Sequence, residues 1–370
     1  MMSDFHRERA RKAVSLMRRI GVDALLLFPG ADIGYFTGFS IGPSERLSAA
    51  LIPVDGDPVL VVNELERELR GQRPWIDRVE VWREHEDPVR LLADSISRRG
   101  LAESAIGLAE DAPWGWVNRL QGLLPAARFV DVSRRLSAVR MVKTPRELDW
   151  MRRACDIADR ALQHAFDQMH PGMTERELAA AITTEMRHLG GGQTFCTVLF
   201  GERAALPHGG ASDRRLRPGD SVLVDAGTTV HGYWSDITRT VFYGEPTPRQ
   251  QELYEVVYEA NRAAFEAVRP GATCESVDAA GRRVIADAGL GDYFIHRLGH
   301  GVGLQIHERP YIVKGNRLGL ESGMTFTIEP GVYIVGEIGI RVEDTVVCTD
   351  GGCERLTKHR RTSTFYPAQG

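Results

Sequence analysis

Four acidic residues and one histidine in the C-terminal half have the types expected of a metal site. Each lies at the edge of a strand-like run: Asp225 in VLVDAG, Asp236 in SDITRT, His300 in RLGHGVG, Glu329 in FTIEPG and Glu343 in IRVEDT. Carboxylates seldom accompany buried strands, because burying an unpaired charge costs free energy. Divalent cations between these groups would remove that cost.

The composition of this ligand set indicates which metals and which reaction it serves. Four carboxylates and one imidazole favour Mn²⁺, Co²⁺ or Fe²⁺ over a thiolate-type zinc site, although Zn²⁺ would also bind. Five ligands exceed the need of one ion that keeps open positions, so the set predicts two ions sharing a water. Such a pair hydrolyses amides or phosphate esters. Amides are favoured, because the GHGVG loop lacks the Lys-Ser/Thr of a P-loop.

Two further histidines and one arginine have positions suited to that chemistry. His208 in LPHGG and His307 in QIHERP could hydrogen-bond an oxyanion or a leaving nitrogen. The alternative for each is a solvated loop histidine. Arg341 stands two residues before Glu343 and would share its strand face. It is expected to pair with a ligand carboxylate or with a substrate carboxylate, the alternative being a surface arginine.

The first 135 or so residues alternate helix-like and strand-like patterns, which predicts a small α/β domain. An amphipathic helix is expected at the N-terminus rather than a signal peptide. The other predicted elements are a strand at 24–28, a hairpin of 49–54 with 58–62 around Asp55-Gly56-Asp57, and helices at 65–70 and 88–99.

Three capping boxes predict the starts of three helices in the second half. The boxes are Thr144-Pro145-Arg146-Glu147, Thr174-Glu175-Arg176-Glu177 and Thr247-Pro248-Arg249-Gln250. The second half therefore contains at least three helices, interleaved with strands.

The second half also resembles itself. Pro-Gly-x-Thr occurs at 171–174 and again at 270–273, each time at the start of a predicted helix. Gly219 and Asp225 have the same separation as Gly323 and Glu329. A second carboxylate follows in each half, so two related halves would place four carboxylates around one centre.

Composition limits the partners of this chain. Its 370 residues are 43% hydrophobic and 26% charged with a formal net charge of -4, which suggests about two domains and neither a nucleic-acid nor a membrane partner. No run approaches the ~20 apolar residues of a membrane span. The five cysteines form no CxxC pair. A reduced, cytoplasmic protein is expected, with Cys348 and Cys353 as free thiols rather than a hairpin disulfide.

The five site motifs, in this order, are also where the chain resembles a known family. VDAG, SDITRT, GHGVGLQIHE, TIEPGVY and IRVEDT resemble the creatinase/methionine aminopeptidase superfamily over residues 140–360. The stretches IGYFTGFSIGPSERL and VRMVKTPREL are similar to the family's N-terminal domain. The resemblance implies an α/β (α+β) chain with a creatinase/prolidase-like domain at 1–138. A pseudo-two-fold pita-bread metallopeptidase domain would follow at 139–370.

The resemblance also implies roles for the metal ligands. Asp225 and Asp236 would bind one ion, with Asp236 bridging, while His300 and Glu329 would hold the other. Glu343 would be the second bridge. The implied cofactor is two divalent ions, Mn²⁺ in preference to Co²⁺, Zn²⁺ or Fe²⁺.

Catalytic and substrate-binding roles follow from the same resemblance. Glu329 would be the acid/base partner of the water, and His208 and His307 would contact the scissile carbonyl and the proline side. Arg341 would lie near the substrate and the ligands. Either Arg46 or Arg309 could bind a free proline carboxylate, though each is more simply a surface or ion-paired arginine.

The implied function is a dinuclear-metal peptidase that hydrolyses the Xaa-Pro bond through a metal-bridging hydroxide. Short proline-containing peptides would be the substrates of a homodimer. An Xaa-Pro dipeptidase (prolidase) is preferred, and an Xaa-Pro aminopeptidase acting on longer peptides is the alternative. Two other hypotheses remain open, a hydrolase of non-peptide amides on the same fold and a binding module without catalysis.

Overall fold

The computed structural model describes residues 2–67, 75–360 and 365–366. Its contacts divide the chain into two compact units, Met1–Arg140 and Met141–Gly370. The sequence prediction placed a domain boundary between residues 138 and 139. In the described part of the chain, no helix combines the length and apolar character needed to cross a membrane.

The first unit is built on a six-stranded sheet in the order β4-β3-β2-β1-β5-β6. Its strands are β1 Ala24–Leu27, β2 Ala49–Pro53, β3 Val59–Asn63, β4 Arg78–Trp82, β5 Ala105–Leu108 and β6 Arg128–Asp131. Its helices are α1 Met2–Arg19, α2 Ala31–Thr37, α3 Pro88–Ser97, α4 Trp114–Leu123 and α5 Ser133–Met141. Strands β1 to β3 are buried along their length, as apolar runs between turn signals predict.

Most local predictions for this unit are confirmed. Helix α1, strand β1, the antiparallel pair β2/β3 and helix α3 lie where the patterns indicate. Asp87 caps α3 by accepting from the backbone N–H groups of Val89 and Arg90. The predicted helix at 65–70 is not found in the described part, because residues 64–67 form a 3-10 turn. Its positions 68–70 lie outside the described residues.

The second unit combines four helices with strands of several sheets in the described residues. The helices are α6 Pro145–Asp167, α7 Glu175–His188, α8 Pro248–Ala267 and α9 Cys274–Asp287, with 3-10 turns at Gly201–Ala205 and Gly291–Tyr293. The strands up to the middle of the unit are β7 Thr194–Phe200, β8 Asp220–Val230, β9 Tyr233–Trp234, β10 Ile237–Tyr243, β11 Gly299–Gly301 and β12 Glu308–Ile312. The remaining strands are β13 Thr325–Ile328, β14 Gly331–Ile334, β15 Ile338–Arg341, β16 Asp344–Thr349, β17 Gly352–Arg355 and β18 Phe365–Tyr366.

The three capping boxes are confirmed at the starts of α6, α7 and α8. In each, the threonine side chain accepts from the N–H of the third helical residue, whose side chain accepts from the threonine N–H. The three partners are Glu147, Glu177 and Gln250. Each box satisfies backbone donors that the first turn would otherwise leave unpaired.

The internal repeat is visible in the hydrogen bonding. In one half, Gly172 N donates to Leu216 O at 2.9 Å and Leu216 N to Met173 O at 2.8 Å. In the other half, Gly271 N donates to Leu320 O and Leu320 N to Ala272 O, both at 2.8 Å. Corresponding helices α7 and α9 thus begin with the same anchor to the chain that precedes a carboxylate-bearing strand.

Two sheets carry the two halves. One has the order β18-β10-β8-β7 with β9 paired to β8, and the other has the order β12-β11-β13-β16-β17. Apolar side chains of α8 and α9 share a buried cluster with Phe326 on β13 and Val346 on β16. Burying each such side chain stabilises the fold by about 1.5–3 kcal/mol. This packing holds β13 and β16 in place, next to Glu329 and Glu343.

Candidate metal and active site

Antiparallel strand pairs bring the two carboxylates of each half close to each other. Asp225 pairs across β8/β10 with Thr238, two residues after Asp236. In the other half, Ile328 pairs across β13/β16 with Asp344, which places Glu329 and Glu343 directly beyond the last pair. The expectation that every ligand sits at a strand edge is wrong for Asp225 and for His300. Asp225 lies in the middle of β8, because the strand continues through Thr228 to Val230, and His300 is the central residue of β11.

All eight predicted site residues line one cavity of about 770 Å³. They are Asp225, Asp236, His300, Glu329 and Glu343, together with His208, His307 and Arg341. Single ligand atoms of Asp236, His300 and Glu343 lie within 4.8 Å of one another, and all three residues are buried.

His300 faces the carboxylates with an unprotonated nitrogen. Its Nδ1 lies 3.1 Å from Gly301 O and, as donor, leaves Nε2 as an acceptor. Burial, with the nearby His307, lowers the pKa of His300 to about 3, so the ring is neutral. Nε2 nevertheless lies 3.2 Å from Glu329 Oε1 and 3.6 Å from Asp236 Oδ2. Acceptors gathered in this way fit a cation between them.

Hydroxyl groups orient two of the carboxylates from outside. Thr238 Oγ1 donates to Glu343 Oε2 at 2.5 Å, and Thr327 Oγ1 donates to Glu329 Oε1 at 3.0 Å. Partners of this kind fix the direction of metal ligands.

Arg341 contacts Asp225 directly and is linked to Glu343 through one hydroxyl group. Its Nη2 donates to Asp225 Oδ2 at 2.7 Å, and its Nε donates to Thr238 Oγ1 at 3.0 Å, the hydroxyl that holds Glu343. Its Nη1 donates to Tyr333 Oη at 2.9 Å. The alternative of a surface arginine is wrong, since only 5% of Arg341 is exposed. These contacts suit a role in which Arg341 orients candidate metal ligands. Contact between Arg341 and the substrate stays a prediction.

The metal-free carboxyl groups hold their protons more tightly than usual. Burial, with the negative charges of Glu343, Asp225 and Glu329, raises the pKa of Asp236. Burial, with Glu329 and Asp225, likewise raises the pKa of Glu343. Burial raises the pKa of Glu329 to about 7. Like charges held this close need either protons or cations, which is the electrostatic signature of a metal site.

The two predicted catalytic histidines lie on the cavity wall outside the carboxylates. The His307 ring centre is 4.2 Å from that of His300. Partial burial, with the charge of Arg297 nearby, lowers the pKa of His307. His208 is exposed in the loop after the 3-10 turn at Gly201–Ala205. Both positions suit contact with a substrate, and their catalytic roles stay predictions.

The cavity contains residues that the sequence reasoning missed. His296 lies 2.9 Å through Nε2 from Tyr333 Oη, and its Nδ1 lies 2.7 Å from Arg297 O. Arg297 also lines the cavity, and so do the rings of Phe195 and Trp234. The one local signal was the His296-Arg297 pair directly before the LGHG motif. Aromatic residues on strands carry no such signal, because they are common in any core.

The two arginines proposed for carboxylate binding are placed differently. Arg46 forms ion pairs with Glu45 and, through Nε at 2.8 Å, with Glu84. Arg309 lies with its guanidinium 5.7 Å from the ring centre of Tyr311. Neither is among the residues that line the cavity. A role for either in substrate binding stays a prediction.

The donor set fits a divalent metal on a further observation. Asp225 Oδ1 is buried and has no hydrogen-bond partner among the described residues, although Oδ2 of the same carboxylate is held by Arg341. A buried acceptor of this kind is costly unless a cation binds it. The arrangement can therefore hold divalent ions and hydrolyse an amide bond beside them.

Comparison with known proteins gives matches over both units. The model of metallopeptidase family M24 matches residues 149–350, and that of the creatinase/prolidase N-terminal domain matches residues 9–142. An Xaa-Pro dipeptidase of Lactobacillus helveticus is 41% identical over 330 residues, 88% of this chain and 90% of the relative.

Solved structures of peptidases are also similar to this chain. The crystal structure of a dipeptidase PepE from Mycobacterium ulcerans has a TM-score of 0.93 and 37% identity, covering 99% of both chains. An X-Pro aminopeptidase from Thermotoga maritima has a TM-score of 0.87 and 32% identity, covering 96% of this chain and 99% of its own.

Proposed function

The chain belongs to metallopeptidase family M24, and we propose that it is an Xaa-Pro dipeptidase dependent on two divalent metal ions. The observation that carries the proposal is the neutral His300 facing the carboxylates of Asp236 and Glu329 within one cavity. The similarity to an Xaa-Pro dipeptidase over 88% of the chain supports the choice of substrate. An Xaa-Pro aminopeptidase is the second candidate, supported by the Thermotoga maritima structure.

We propose that each half of the second unit contributes to both ions. Asp225 and Asp236 would hold the first ion, and His300 and Glu329 would hold the second. Asp236 and Glu343 would be shared by the two. The geometric support is that Asp236, His300 and Glu343 can bring one ligand atom each within 4.8 Å of the others.

The reaction divides into metal chemistry and protein chemistry. Divalent ions held by these residues would supply an activated water and would polarise the scissile carbonyl. Glu329 accepts a proton from the attacking water and passes it to the proline nitrogen, with His208 as the second candidate for that delivery. His307, whose pKa is lowered, donates a hydrogen bond from a neutral ring to the carbonyl oxygen as it becomes negative. The C–N bond then breaks, leaving a carboxylate and free proline.

Manganese is the proposed physiological metal. Carboxylate-rich ligand sets with one imidazole suit Mn²⁺, and Co²⁺, Zn²⁺ and Fe²⁺ are alternatives. Metal-free protein reconstituted with each ion separately tests the choice. The proposal expects the highest kcat/KM with Mn²⁺, and inactivity with Mn²⁺ beside full activity with Zn²⁺ would overturn it.

Substrate length is tested by a matched pair of peptides. Gly-Pro is compared with Gly-Pro-Gly on the metal-loaded enzyme, with Gly-Ala as the control for proline specificity. A dipeptidase cleaves Gly-Pro and spares the tripeptide. Cleavage of the tripeptide alone would identify an aminopeptidase, and failure on all proline peptides would favour a hydrolase of non-peptide amides.

We also propose a cytoplasmic homodimer. All five cysteines are free, including Cys348 and Cys353, which face each other across β16/β17. Free thiols at such a pair fit a reducing compartment. The dimer follows from the family resemblance alone. Sedimentation of the purified protein at several concentrations tests the dimer, and cell fractionation tests the location.

A further inference from the structure

Two of the five cysteines stand directly opposite each other on neighbouring strands. Cys348 on β16 pairs with Cys353 on β17, next to the tight turn through Asp350 and Gly351. Directly opposed residues of an antiparallel pair project their side chains from the same face of the sheet. Cys348 accordingly belongs to the buried cluster that α8 and α9 share with this sheet, and Cys353 packs against the same cluster.

The backbone hydrogen bonds of Cys348 show which kind of pair it forms with Cys353. Its N–H donates to Met324 O at 2.9 Å, and its C=O accepts from Gly323 N at 2.8 Å. Both groups thus point to the β13 side of β16, away from β17. A residue in an antiparallel sheet directs its N–H and C=O to the same side, so Cys348 and Cys353 form a pair without hydrogen bonds between them.

A pair of this kind brings the two Cα atoms close enough for a disulfide. Directly opposed residues without hydrogen bonds lie about 4.5 Å apart at Cα, against about 5.5 Å in a hydrogen-bonded pair. Disulfides span Cα separations of about 4.4–6.8 Å. The hairpin backbone therefore already has a separation that a bond between the two sulfurs can span.

The two thiols differ in their access to a reagent. Cys348 is buried, whereas Cys353 is partly exposed on β17, the last strand in the order β12-β11-β13-β16-β17. Burial raises the pKa of Cys348 to about 11 and also raises the pKa of Cys353. Because protonated thiols attack a disulfide slowly, the pair stays reduced in a reducing compartment and reacts only with a sustained excess of oxidant.

The other three cysteines have different surroundings. Cys196 on β7 is paired with Ala226 on β8, and Cys155 and Cys274 lie on helices α6 and α9. None of these three faces another cysteine across a strand pair. They therefore serve as an internal control for any reaction that needs two opposed thiols.

The hairpin that carries the pair also supports the candidate metal site. Strand β16 begins at Asp344, directly after Glu343, and Asp344 Oδ2 accepts from Arg355 Nε of β17 at 3.0 Å. A covalent link between the two strands would hold together the arms that make this contact. Neither Cys348 nor Cys353 lines the cavity, so the link would restrain β17 without altering a group of the site.

We propose that Cys348 and Cys353 are a modification site, at which oxidised glutathione forms a reversible cross-strand disulfide. The thiolate of Cys353 attacks one sulfur of oxidised glutathione and releases one glutathione thiolate. The thiolate of Cys348 then attacks the Cys353 sulfur of the mixed disulfide and releases the second. The protein loses two protons and two electrons, and one glutathione disulfide becomes two glutathione thiols.

Peptide mapping by mass spectrometry tests the site. The purified full-length protein is incubated with oxidised glutathione, quenched, unfolded and alkylated, so that every remaining thiol is labelled. The expected result is the loss of two of the five thiols, with Cys348 and Cys353 joined within one chain. Retention of all five thiols, or a disulfide that includes any of the other three cysteines, overturns the proposal.

Two variants separate the roles of the two sulfurs. Cys348→Ala lacks the second thiol, so glutathione should remain bound to Cys353 as a mixed disulfide. Cys353→Ser lacks the more accessible thiol and should keep its remaining thiols, while the control Cys196→Ala should still form the link. An unmodified Cys353 in Cys348→Ala, or glutathione bound to Cys348 in Cys353→Ser, overturns the order of the two steps.

Reduction and hydrogen exchange test the consequence for the hairpin. Dithiothreitol should return all five thiols, because a disulfide is reducible whereas higher oxides of sulfur are not. The backbone amides of β17 should exchange more slowly in the oxidised protein, since a strand joined to its neighbour opens locally less often. Thiols that dithiothreitol fails to return overturn the assignment, and equal exchange in the two forms overturns the restraint of β17.

Discussion

Arg341 holds one oxygen of Asp225 and leaves the other free. Its Nη2 donates to Oδ2 at 2.7 Å, while Oδ1 is buried without a hydrogen-bond partner among the described residues. The arginine thus fixes the carboxylate in a direction that offers Oδ1 to a metal. Through Thr238 it also acts on Glu343, so one side chain orients a ligand from each half of the second unit.

We therefore expect Arg341→Met to weaken metal binding. Loss of an outer partner of this kind lowers metal affinity by about 10- to 100-fold. Calorimetric titration of the metal-free protein with Mn²⁺ measures the effect, and Arg341→Lys should recover part of it. An unchanged affinity for Mn²⁺ in Arg341→Met, with the fold intact, would show that metal binding does not depend on the contact between Arg341 and Asp225.

Metal removal should make stability depend on pH. Because burial raises the pKa of Glu329 from 4.5 to about 7, the folded metal-free protein binds more protons than the unfolded chain between those values. The contribution of Glu329 to the free energy of unfolding is full below about pH 4.5 and is lost as the pH rises through 7. The loss is about 1.4 kcal/mol per pH unit for each such group.

The measurement compares Tm for chelated and metal-loaded protein between about pH 5.5 and about pH 7.5. The difference in Tm between metal-loaded and chelated protein should increase as the pH rises. In Glu329→Gln this difference should depend less on pH. A gap independent of pH would argue against raised carboxyl pKa values at the site.

A buried ion pair should stabilise the loop that carries His307. Lys143 Nζ lies 2.7 Å from Glu308 Oε1, and the two side chains are 1% and 3% exposed. Removing one partner of such a pair leaves an uncompensated buried charge, so Lys143→Met should lower the free energy of unfolding by about 3–5 kcal/mol. Urea unfolding measures this loss. The double variant Lys143→Met/Glu308→Met should recover much of it, and a loss of under about 1 kcal/mol in the single variant would contradict the role.

His307 is expected to act as a neutral group. Its pKa is lowered by partial burial and by Arg297, so the ring can donate a hydrogen bond without carrying charge. His307→Ala should lower kcat by about 100- to 1,000-fold with a smaller change in KM, as for other oxyanion donors. His188→Ala, an exposed histidine on α7, is the control. A variant changed only in KM would indicate a binding role instead.

The elements of the second unit were predictable because their signals are local. Threonine capping boxes mark the starts of α6, α7 and α8, and the Pro-Gly-x-Thr repeat marks α7 and α9. The candidate ligand residues were also identifiable from the sequence, since each stands in a short motif of distinct composition, and their binding of metal stays a prediction. The helix predicted at 65–70 failed in its described part, where a periodic pattern of only six residues was too short to distinguish a helix from a turn.

The partners of the site were not predictable, because they depend on how distant strands pack. Arg341 and Asp225 are 116 positions apart, and Lys143 and Glu308 are 165 apart. The sequence predicted a ligand carboxylate or a substrate carboxylate as the partner of Arg341, but no local pattern indicates that this partner is Asp225 or that Lys143 pairs with Glu308. Arg297 was missed for a related reason, because its position next to the LGHG motif does not by itself show that it lines the cavity.

The proposed two-metal peptidase site is tested most directly by the metal content of the wild type and of Asp236→Asn and by the activity of each with Gly-Pro. Asp236 is the proposed bridge, and it lies within the cluster formed with His300 and Glu343. We predict about two divalent ions per wild-type chain and rapid hydrolysis. Asp236→Asn should retain at most about one ion and lose at least about 100-fold in kcat/KM, because metal activation contributes several kcal/mol to such reactions. Undiminished hydrolysis by Asp236→Asn, or by wild type stripped of metal, would contradict it.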